Sequence, residues 1–375
     1  MNKLSTVLLL VLVSACAQAQ SDLPFNVEPV AEFHEPWAMA FLPDGRLLVT
    51  EKSGQLRVIG QDGTSFGAVR GLPDVNYGGQ GGFGDVALHP DFANNGLLYV
   101  SYVESGVGGT RGAAVARGVL TLSERGGGTL SDVDVIWRQY PKVVGYGHYG
   151  HRLLFDADGY LWITSGDRQK FTPAQDMQST IGKIVRLHDD GSVPDDNPFV
   201  DYFSDDAFVD DEGVYPEIWS LGHRNPLGIA SDLDGQIWAI EMGPAGGDEL
   251  NRIERGGNYG YPIVSNGKHY DGREIPDHDT RPEFIKPADW WTPTISPGDL
   301  MVYSGDKFSA WHGNLLAAGL SSRAIIRIEI DGDGASEVER FEMGERMRSV
   351  VQGPEGYLWA LENNTGRLLK LTPKN

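Results

Sequence analysis

The sequence predicts an all-β protein, a six-bladed β-propeller, and three observations point to it. The 375-residue chain holds 49 glycines and 21 prolines, a composition suited to many short strands and tight turns rather than long helices. One pattern recurs along it: a few apolar residues, a turn carrying Asp-Gly or a relative of it, then an alternating apolar strand. The copies are spaced by roughly fifty to seventy residues, which leaves room for two further strands and so for one four-stranded blade per copy.

The copies run in order through Ala40–Thr50 (AFLPDGRLLVT), Val86–Ser101 (VALHPDFANNGLLYVS), Leu153–Ser165 (LLFDADGYLWITS) and Ile229–Glu241 (IASDLDGQIWAIE). Leu300–Leu316 has a longer turn, and Val350–Leu361 (VVQGPEGYLWAL) restores the short one. Gly, and less readily Asn or Asp, tolerates the positive φ of a tight hairpin, while Leu, Val, Ile, Tyr and Trp suit a half-buried pleated surface. Each copy therefore reads as a β-hairpin. Six of them fit a ring better than an all-β sandwich with recurrent hairpins, the competing architecture. A strand near Asn26–Phe33 is expected to complete the blade formed by the C-terminal residues, since closure removes exposed sheet edges. The polar, acidic stretch Asp189–Asp211 reads as a long inter-strand loop.

Residues 1–19 read as a signal peptide: Lys3 precedes the apolar run Thr6–Val13, which is too short for a membrane span. Two cleavage sites compete. Val13, Ser14, Ala15 and Cys16 form a lipobox that would leave a lipid anchor on Cys16, whereas Ala17, Gln18 and Ala19 form an ordinary small-residue site. Residues 20–375 are then one domain, exported and periplasmic, with no transmembrane segment. Cys16 is the only cysteine, so an intramolecular disulfide is excluded. A formal net charge of −21 argues against nucleic acid as a partner. Any anion site must come from a local concentration of Arg.

Several dense motifs sit where blade loops are expected. Gly78–Asp85 (GGQGGFGD) is glycine-rich but lacks the strand–helix context of a dinucleotide fingerprint and the Lys and Ser/Thr of a phosphate loop. GHYGHR precedes one repeat strand and GDR follows it, which puts His148 and Asp167 at one end of the blade; an imidazole oriented by a carboxylate is a general base. WSLGHRNPLG sets Arg224 and Asn225 before the next repeat strand, a cation and an amide suited to polarising a carbonyl. Gly243–Asn251 (GPAGGDELN) suits carbonyls and carboxylates converging on Ca²⁺, with a purely structural turn as the other reading. Arg346 and Arg348 flank Met347 at strand spacing, placing two cations on one face, where a carboxylated ligand would compensate them.

Taken together and in order, the stretches PWAMAFLPDGRLLVTE, GGQGGFGDVALHPDFA, LGHRNPLGIA, GPAGGDELN, NYGYP and RMRSV resemble the soluble glucose/sorbosone dehydrogenase family. Its members use pyrroloquinoline quinone on a six-bladed propeller, and the resemblance runs from about Pro36 to Leu371. It implies that His148 removes the C1 hydroxyl proton of an aldose sugar, with Asp167 orienting it, while hydride passes to the quinone. It implies cofactor contacts from Gln80, Arg224, Asn225, Thr294, Arg346 and Arg348. Gly243 and Pro244 would hold a Ca²⁺ through their carbonyls, with Glu249 and Tyr259 in a second, structural Ca²⁺ site. An external electron acceptor completes turnover.

Two departures from the better-known glucose-oxidising members stand out. Where those have a cofactor-binding lysine near Leu320, this chain reads Ser321, Ser322 and Arg323, with Arg323 shifted along the strand as the substitute. Gly147 replaces an acidic residue beside the catalytic His, which leaves the preferred aldose open. Two other functions fit an all-β ring: a Ca²⁺-dependent hydrolase such as a lactonase, and a cofactor-free propeller that binds sugars or proteins.

Overall fold

The computed structural model describes residues 23–124, 126–201 and 214–374. The leader, with Cys16 and both cleavage sites, lies outside the described residues, as does part of the acidic 189–211 stretch. The described residues form twenty-four β-strands and a single four-residue α-helix. No helix among them is long and apolar enough to cross a membrane.

After β1 (Phe25–Glu32), the chain builds six four-stranded antiparallel units. Unit one is β2 (Pro36–Phe41), β3 (Leu47–Glu51), β4 (Gln55–Ile59) and β5 (Ser65–Arg70). Unit two is β6 (Phe83–Leu88), β7 (Leu97–Ser105), β8 (Arg111–Leu122) and β9 (Gly128–Arg138), with helix α1 (Phe92–Asn95) in its first turn. Unit three is β10 (Gly150–Phe155), β11 (Leu161–Ser165), β12 (Lys183–Leu187) and β13 (Ile218–Leu221); unit four is β14 (Pro226–Ser231), β15 (Ile237–Glu241), β16 (Asp248–Arg252) and β17 (Asp289–Trp291). Unit five is β18 (Pro297–Val302), β19 (Leu315–Gly319), β20 (Ala324–Asp331) and β21 (Gly334–Glu342). Unit six is β22 (Met347–Gln352), β23 (Leu358–Glu362) and β24 (Arg367–Pro373), and β1 supplies its fourth strand. The N-terminal strand thus pairs with the C-terminal one, in the register Phe25↔Pro373 to Glu32↔Arg367, as expected from the sequence. One join was not foreseen: β5 and β9 pair in parallel through Val69↔Gly128 and Arg70↔Thr129, which fuses units one and two into an eight-stranded sheet.

The first strand of each unit packs beside the first strand of the next, and β22 lies against β2, so the units close into a ring. The core is correspondingly divided among the faces between neighbouring sheets. Leu48 and Val58 meet Val86 and Val100; Tyr99 and Val115 meet Leu153 and Ile163; Trp162 and Ile184 meet Ile229 and Ala239. Trp238 and Ile240 pack on Leu315 and Ile326, Met347 and Val350 on Leu316 and Ile325, and Trp359 and Leu361 on Met39 and Leu47. Each unit is apolar on both faces because each face is covered by a neighbour, which explains the unbroken burial of Leu47–Glu51, Leu161–Ser165 and Leu358–Glu362.

The repeated turn has a chemical reason beyond glycine. Asp156 Oδ1 accepts the N–H groups of Asp158 and Tyr160 at 3.0 and 2.9 Å, and its Oδ2 accepts the Trp162 indole N–H at 2.7 Å. Asp232 repeats the arrangement with Asp234, Gln236 and Trp238 at 3.0, 2.9 and 2.9 Å. One carboxylate therefore closes the turn and satisfies the buried indole of the following strand.

On the ring axis lies Arg152 of β10, 3% exposed. Its guanidinium stacks 3.9 Å from the Trp37 ring of β2 and faces Asp85 of β6 at 3.4 Å and Asp299 of β18 at 3.6 Å. It also donates to the carbonyls of Leu227 on β14, Gly298 on β18 and Arg348 on β22. Each of the other five units contributes a partner from its first strand. The two buried carboxylates are pushed above the ordinary Asp range by burial, Asp85 to about 6, with Arg152 opposing the shift.

Candidate active site

In an antiparallel unit the start of the first strand and the end of the second fall on the same rim, opposite the Asp-Gly turns. His148 lies just before β10 and Asp167 just after β11; Arg224 and Asn225 precede β14, and Gly243 follows β15; Arg346 precedes β22. Sequence position alone thus brings these residues to one end of the ring, around two adjoining cavities.

The first cavity, of about 310 Å³, is lined by His148, Asp167, Gln169, Phe171, Arg224 and Pro244, with Tyr261, His269, Tyr270, Asp271 and Arg273 from the 261–273 loop. His148 Nδ1 donates to Asp167 Oδ1 at 2.6 Å, and both side chains are buried. This fixes the neutral tautomer with the lone pair on Nε2, as a general base requires. Burial, aided by the Arg224 charge, holds the imidazole below its usual value, against the upward pull of the Asp167 hydrogen bond. The dyad is itself held: Gln80 Oε1 accepts the His148 backbone N–H at 2.7 Å, and the Asp167 N–H donates to the Arg224 carbonyl at 2.7 Å. Arg168 is buried without a carboxylate partner, donating to the carbonyls of Gly147, Arg111 and Gly145 and stacking 3.8 Å from Tyr149. A Cβ on Gly147 would come within 2.6 Å of the Gln169 side chain, so the acidic residue absent there has no room unless Gln169 moves.

The second cavity, of about 280 Å³, is lined by Gln80, Asn225, Arg346 and Arg348 together with Glu35, Trp37, Lys52, Tyr149, His151, Leu227, Met242, Ser296, Leu320 and Asn363. Among the described residues neither Arg346 nor Arg348 forms an ion pair. Arg348 Nη2 and Nε donate to Asn363 Oδ1 at 2.8 and 3.1 Å. Burial lowers both guanidinium groups, Arg348 to about 9, with Arg152 and Arg346 adding like-charge repulsion. An anion placed here would relieve both effects.

Between the cavities stands the 223–225 segment. Glu241 organises it from the end of β15, accepting the Arg224 N–H at 2.6 Å, the Asn225 N–H at 3.3 Å and His223 Nδ1 at 2.9 Å. Arg224 Nη1 donates to the carbonyls of Met242 and Gly243 at 2.9 and 2.6 Å, and Nη2 to the Tyr270 hydroxyl at 3.2 Å. Arg224 Nε and Asn225 Oδ1 are buried and have no partner among the described residues. Unpaired buried polar atoms are costly, and two on adjacent residues facing neighbouring cavities mark where a polar ligand belongs.

Several expected residues stand apart from this centre. Thr294 and Arg323 line neither cavity. Thr294 uses its carbonyl to accept the Ser321 hydroxyl at 2.9 Å, and Arg323 is exposed, reaching toward the Gly344 carbonyl at 3.5 Å. Lys52, from the other side of the second cavity, is a cation that sequence reading missed, held by Glu35 at 3.2 Å and the Gly79 carbonyl at 2.9 Å.

No group of three His, Cys, Asp or Glu side chains able to hold a metal exists among the described residues. A cation here would rest on carbonyl and amide oxygens, the hard donor set that Ca²⁺ accepts. The Gly243 carbonyl fits that description with one lone pair left beside Arg224. Glu249 is buried, and burial reinforced by Glu241 pushes its carboxyl well above the ordinary range. Asn251 Oδ1 is buried without a partner, and the Tyr259 carbonyl faces His278 Nε2 at 3.1 Å. The Tyr259 hydroxyl is already committed to the Arg252 carbonyl at 2.5 Å, which leaves its carbonyl as the donor.

The class so defined is a propeller-like ring with a buried imidazole–carboxylate dyad beside a cavity lined by two guanidinium groups. The chain belongs to the glucose/sorbosone dehydrogenase family, whose profile matches residues 33–370. It is 38% identical over 363 residues to the aldose sugar dehydrogenase YliI of Escherichia coli K12, covering 93% of each chain. The crystal structure of the soluble aldose sugar dehydrogenase from Escherichia coli, in the apo-form, superposes with a TM-score of 0.84 at 37% identity, over 93% of this chain and 100% of that one. The aldose sugar dehydrogenase of Streptomyces coelicolor, solved in its PQQ-bound form, gives a TM-score of 0.73 at 28% identity, over 93% and 98% of the two chains.

Proposed function

We propose that this protein is a quinoprotein dehydrogenase that oxidises the C1 hydroxyl of aldose sugars to the lactone. The observation that carries this reading is the pair of unpartnered buried atoms, Arg224 Nε and Asn225 Oδ1, between a base dyad on one side and the Arg346–Arg348 pair on the other. Pyrroloquinoline quinone is a tricarboxylate whose quinone is a pair of adjacent carbonyls. Its carboxylates suit Arg346 and Arg348, and its carbonyl edge suits Arg224.

In this reading the sugar enters the His148 cavity, where Phe171, Tyr261 and Tyr270 offer apolar ring faces. His148 Nε2 takes the C1 hydroxyl proton, and Asp167 stabilises the imidazolium so formed. When bound, the quinone supplies the acceptor for the hydride leaving C1, with Ca²⁺ on the Gly243 and Pro244 carbonyls as the electron-withdrawing ion. Arg224 holds its fixed charge where negative charge develops. Glu249 with the Tyr259 carbonyl would hold a second, structural Ca²⁺. The six units are six blades of one propeller domain, residues 20–375, exported to the periplasm and anchored through Cys16. The electrons pass on to an external acceptor.

Reconstitution with pyrroloquinoline quinone and Ca²⁺, followed by dye reduction across a panel of aldoses, tests the reading. Turnover should require both additions, and chelation should abolish it. Sugar-dependent reduction without the quinone, or none with it, would overturn the assignment.

A further inference from the structure

Lys183 opens β12 with no exposed surface. Its ammonium donates to three backbone carbonyls, Pro173 at 2.7 Å, Ile181 at 2.8 Å and Ala174 at 3.2 Å. Burial, only partly opposed by the charge of Asp176, brings the amine down to about 7. Packing alone does not call for a cation here, since Met would fill the same length with no desolvation cost. The carbonyls it serves supply the reason.

Two of them belong to the short turn Thr172–Gln175, which ends the 166–176 loop. That loop is strained: Arg168, Gln169 and Phe171 have φ of 54, 59 and 64°, the left-handed region that side-chain-bearing residues avoid. At its front, Asp167 accepts the N–H groups of Gln169 and Phe171 at 2.9 and 3.3 Å with the same carboxylate that orients His148. At its back, Gln175 Nε2 donates to the Tyr261 carbonyl at 2.8 Å and Asn258 Oδ1 at 3.0 Å, while the Gly222 N–H donates to the Ala174 carbonyl at 2.9 Å. Lys183 is the cation bonded to this turn from beneath, with Asp176 at the turn's end as its counter-charge.

We infer that Lys183 is a positioning residue for the base: by pinning the 172–175 turn it keeps the strained loop wound and the Asp167 carboxylate aimed at His148. The inference rests on reading His148 as the base. It assigns Lys183 no contact with sugar or cofactor.

The test is Lys183→Met, read first in the cofactor-free protein by NMR titration of the His148 imidazole. The Asp167 hydrogen bond raises that pKa, so loosening it should move the titration to lower pH by roughly half a unit or more. In the reconstituted enzyme kcat should fall ~10-fold or more, as for a misplaced catalytic group, with quinone affinity unchanged within about two-fold. A wild-type His148 titration would overturn the inference, and so would a parallel loss of quinone affinity, which would mean general damage. Should Lys183→Met fail to fold, Lys183→Gln keeps two donors for the same carbonyls and is read by the same titration. Should wild type itself show no quinone-dependent turnover, the dehydrogenase reading fails, while the titration still decides what Lys183 does to His148.

Discussion

At the turn rim of the ring, Asp156 and Asp232 each close a hairpin and satisfy a buried indole, and every oxygen of those carboxylates has its partner. At the opposite rim, the same repeat ends in residues that local structure does not satisfy: Arg224 Nε and Asn225 Oδ1 lack partners, Arg346 and Arg348 face one cavity, and His148, Arg168, Gln169 and Phe171 all have positive φ. One rim is finished as a folded structure, while the other carries positive-φ residues, unpartnered buried atoms and guanidinium groups without an ion pair among the described residues. On the proposed function, the contrast separates residues kept for stability from residues kept for chemistry, although both kinds sit on the same repeat.

The sharpest break in that contrast is His148→Ala. It should lower kcat by ~10²–10⁴-fold, the range of general-base contributions, while leaving quinone titration and thermal stability near wild type. Retained turnover with cofactor bound would return His148 to a structural role. On the proposed function, His148 works as the base only when neutral. Because burial depresses its pKa, activity should hold through the ordinary imidazole range and fall only at lower pH. A fall centred above the usual imidazole value would contradict the buried geometry.

Next in size, Asp167→Asn should keep the loop but weaken the base, costing ~10²-fold in kcat. Steady-state kinetics should show little change in KM. Arg348→Ala should weaken quinone binding by about 2 kcal/mol, roughly thirty-fold, as expected for one charge-assisted bond. Equilibrium titration reads it directly, and unchanged affinity would remove the anion cavity from the argument. The smallest effect belongs to the turn rim. Asp232→Ala should cost about 1–2 kcal/mol of stability by denaturant unfolding and leave kcat and KM unchanged. A kinetic defect there would erase the distinction between the rims.

Legibility in the sequence followed the same division. The hairpins were readable because Asp-Gly and alternating apolar residues are local signals, and ring closure followed from an unpaired N-terminal strand. The β5–β9 join left no mark, since two residue pairs at a sheet edge carry no pattern of their own. His148, Asp167, Arg224 and Arg348 were readable as polar residues at strand ends. Lys183 was hidden because a strand-initial lysine looks like a solvated end until the 172–175 turn is seen folded over it. Asn363, which holds Arg348, and Glu241, which holds the Arg224–Asn225 segment, act across neighbouring strands. Their partners come from register, which no single motif encodes. Thr294 and Arg323 match the motif in position along the chain, yet neither lines the two cavities.

Arg152 bears on how such a ring can change over time. The units share a backbone plan, yet at the axis they differ: an indole from the first, carboxylates from the second and fifth, a guanidinium from the third, and backbone carbonyls from the fourth, fifth and sixth. A chain reassembled with its units in another order would keep every hairpin and lose that match, leaving a buried charge among strangers. The repeat is therefore modular in shape but not in sequence. Exchange of blades between relatives is constrained at the axis before it is constrained at the active site.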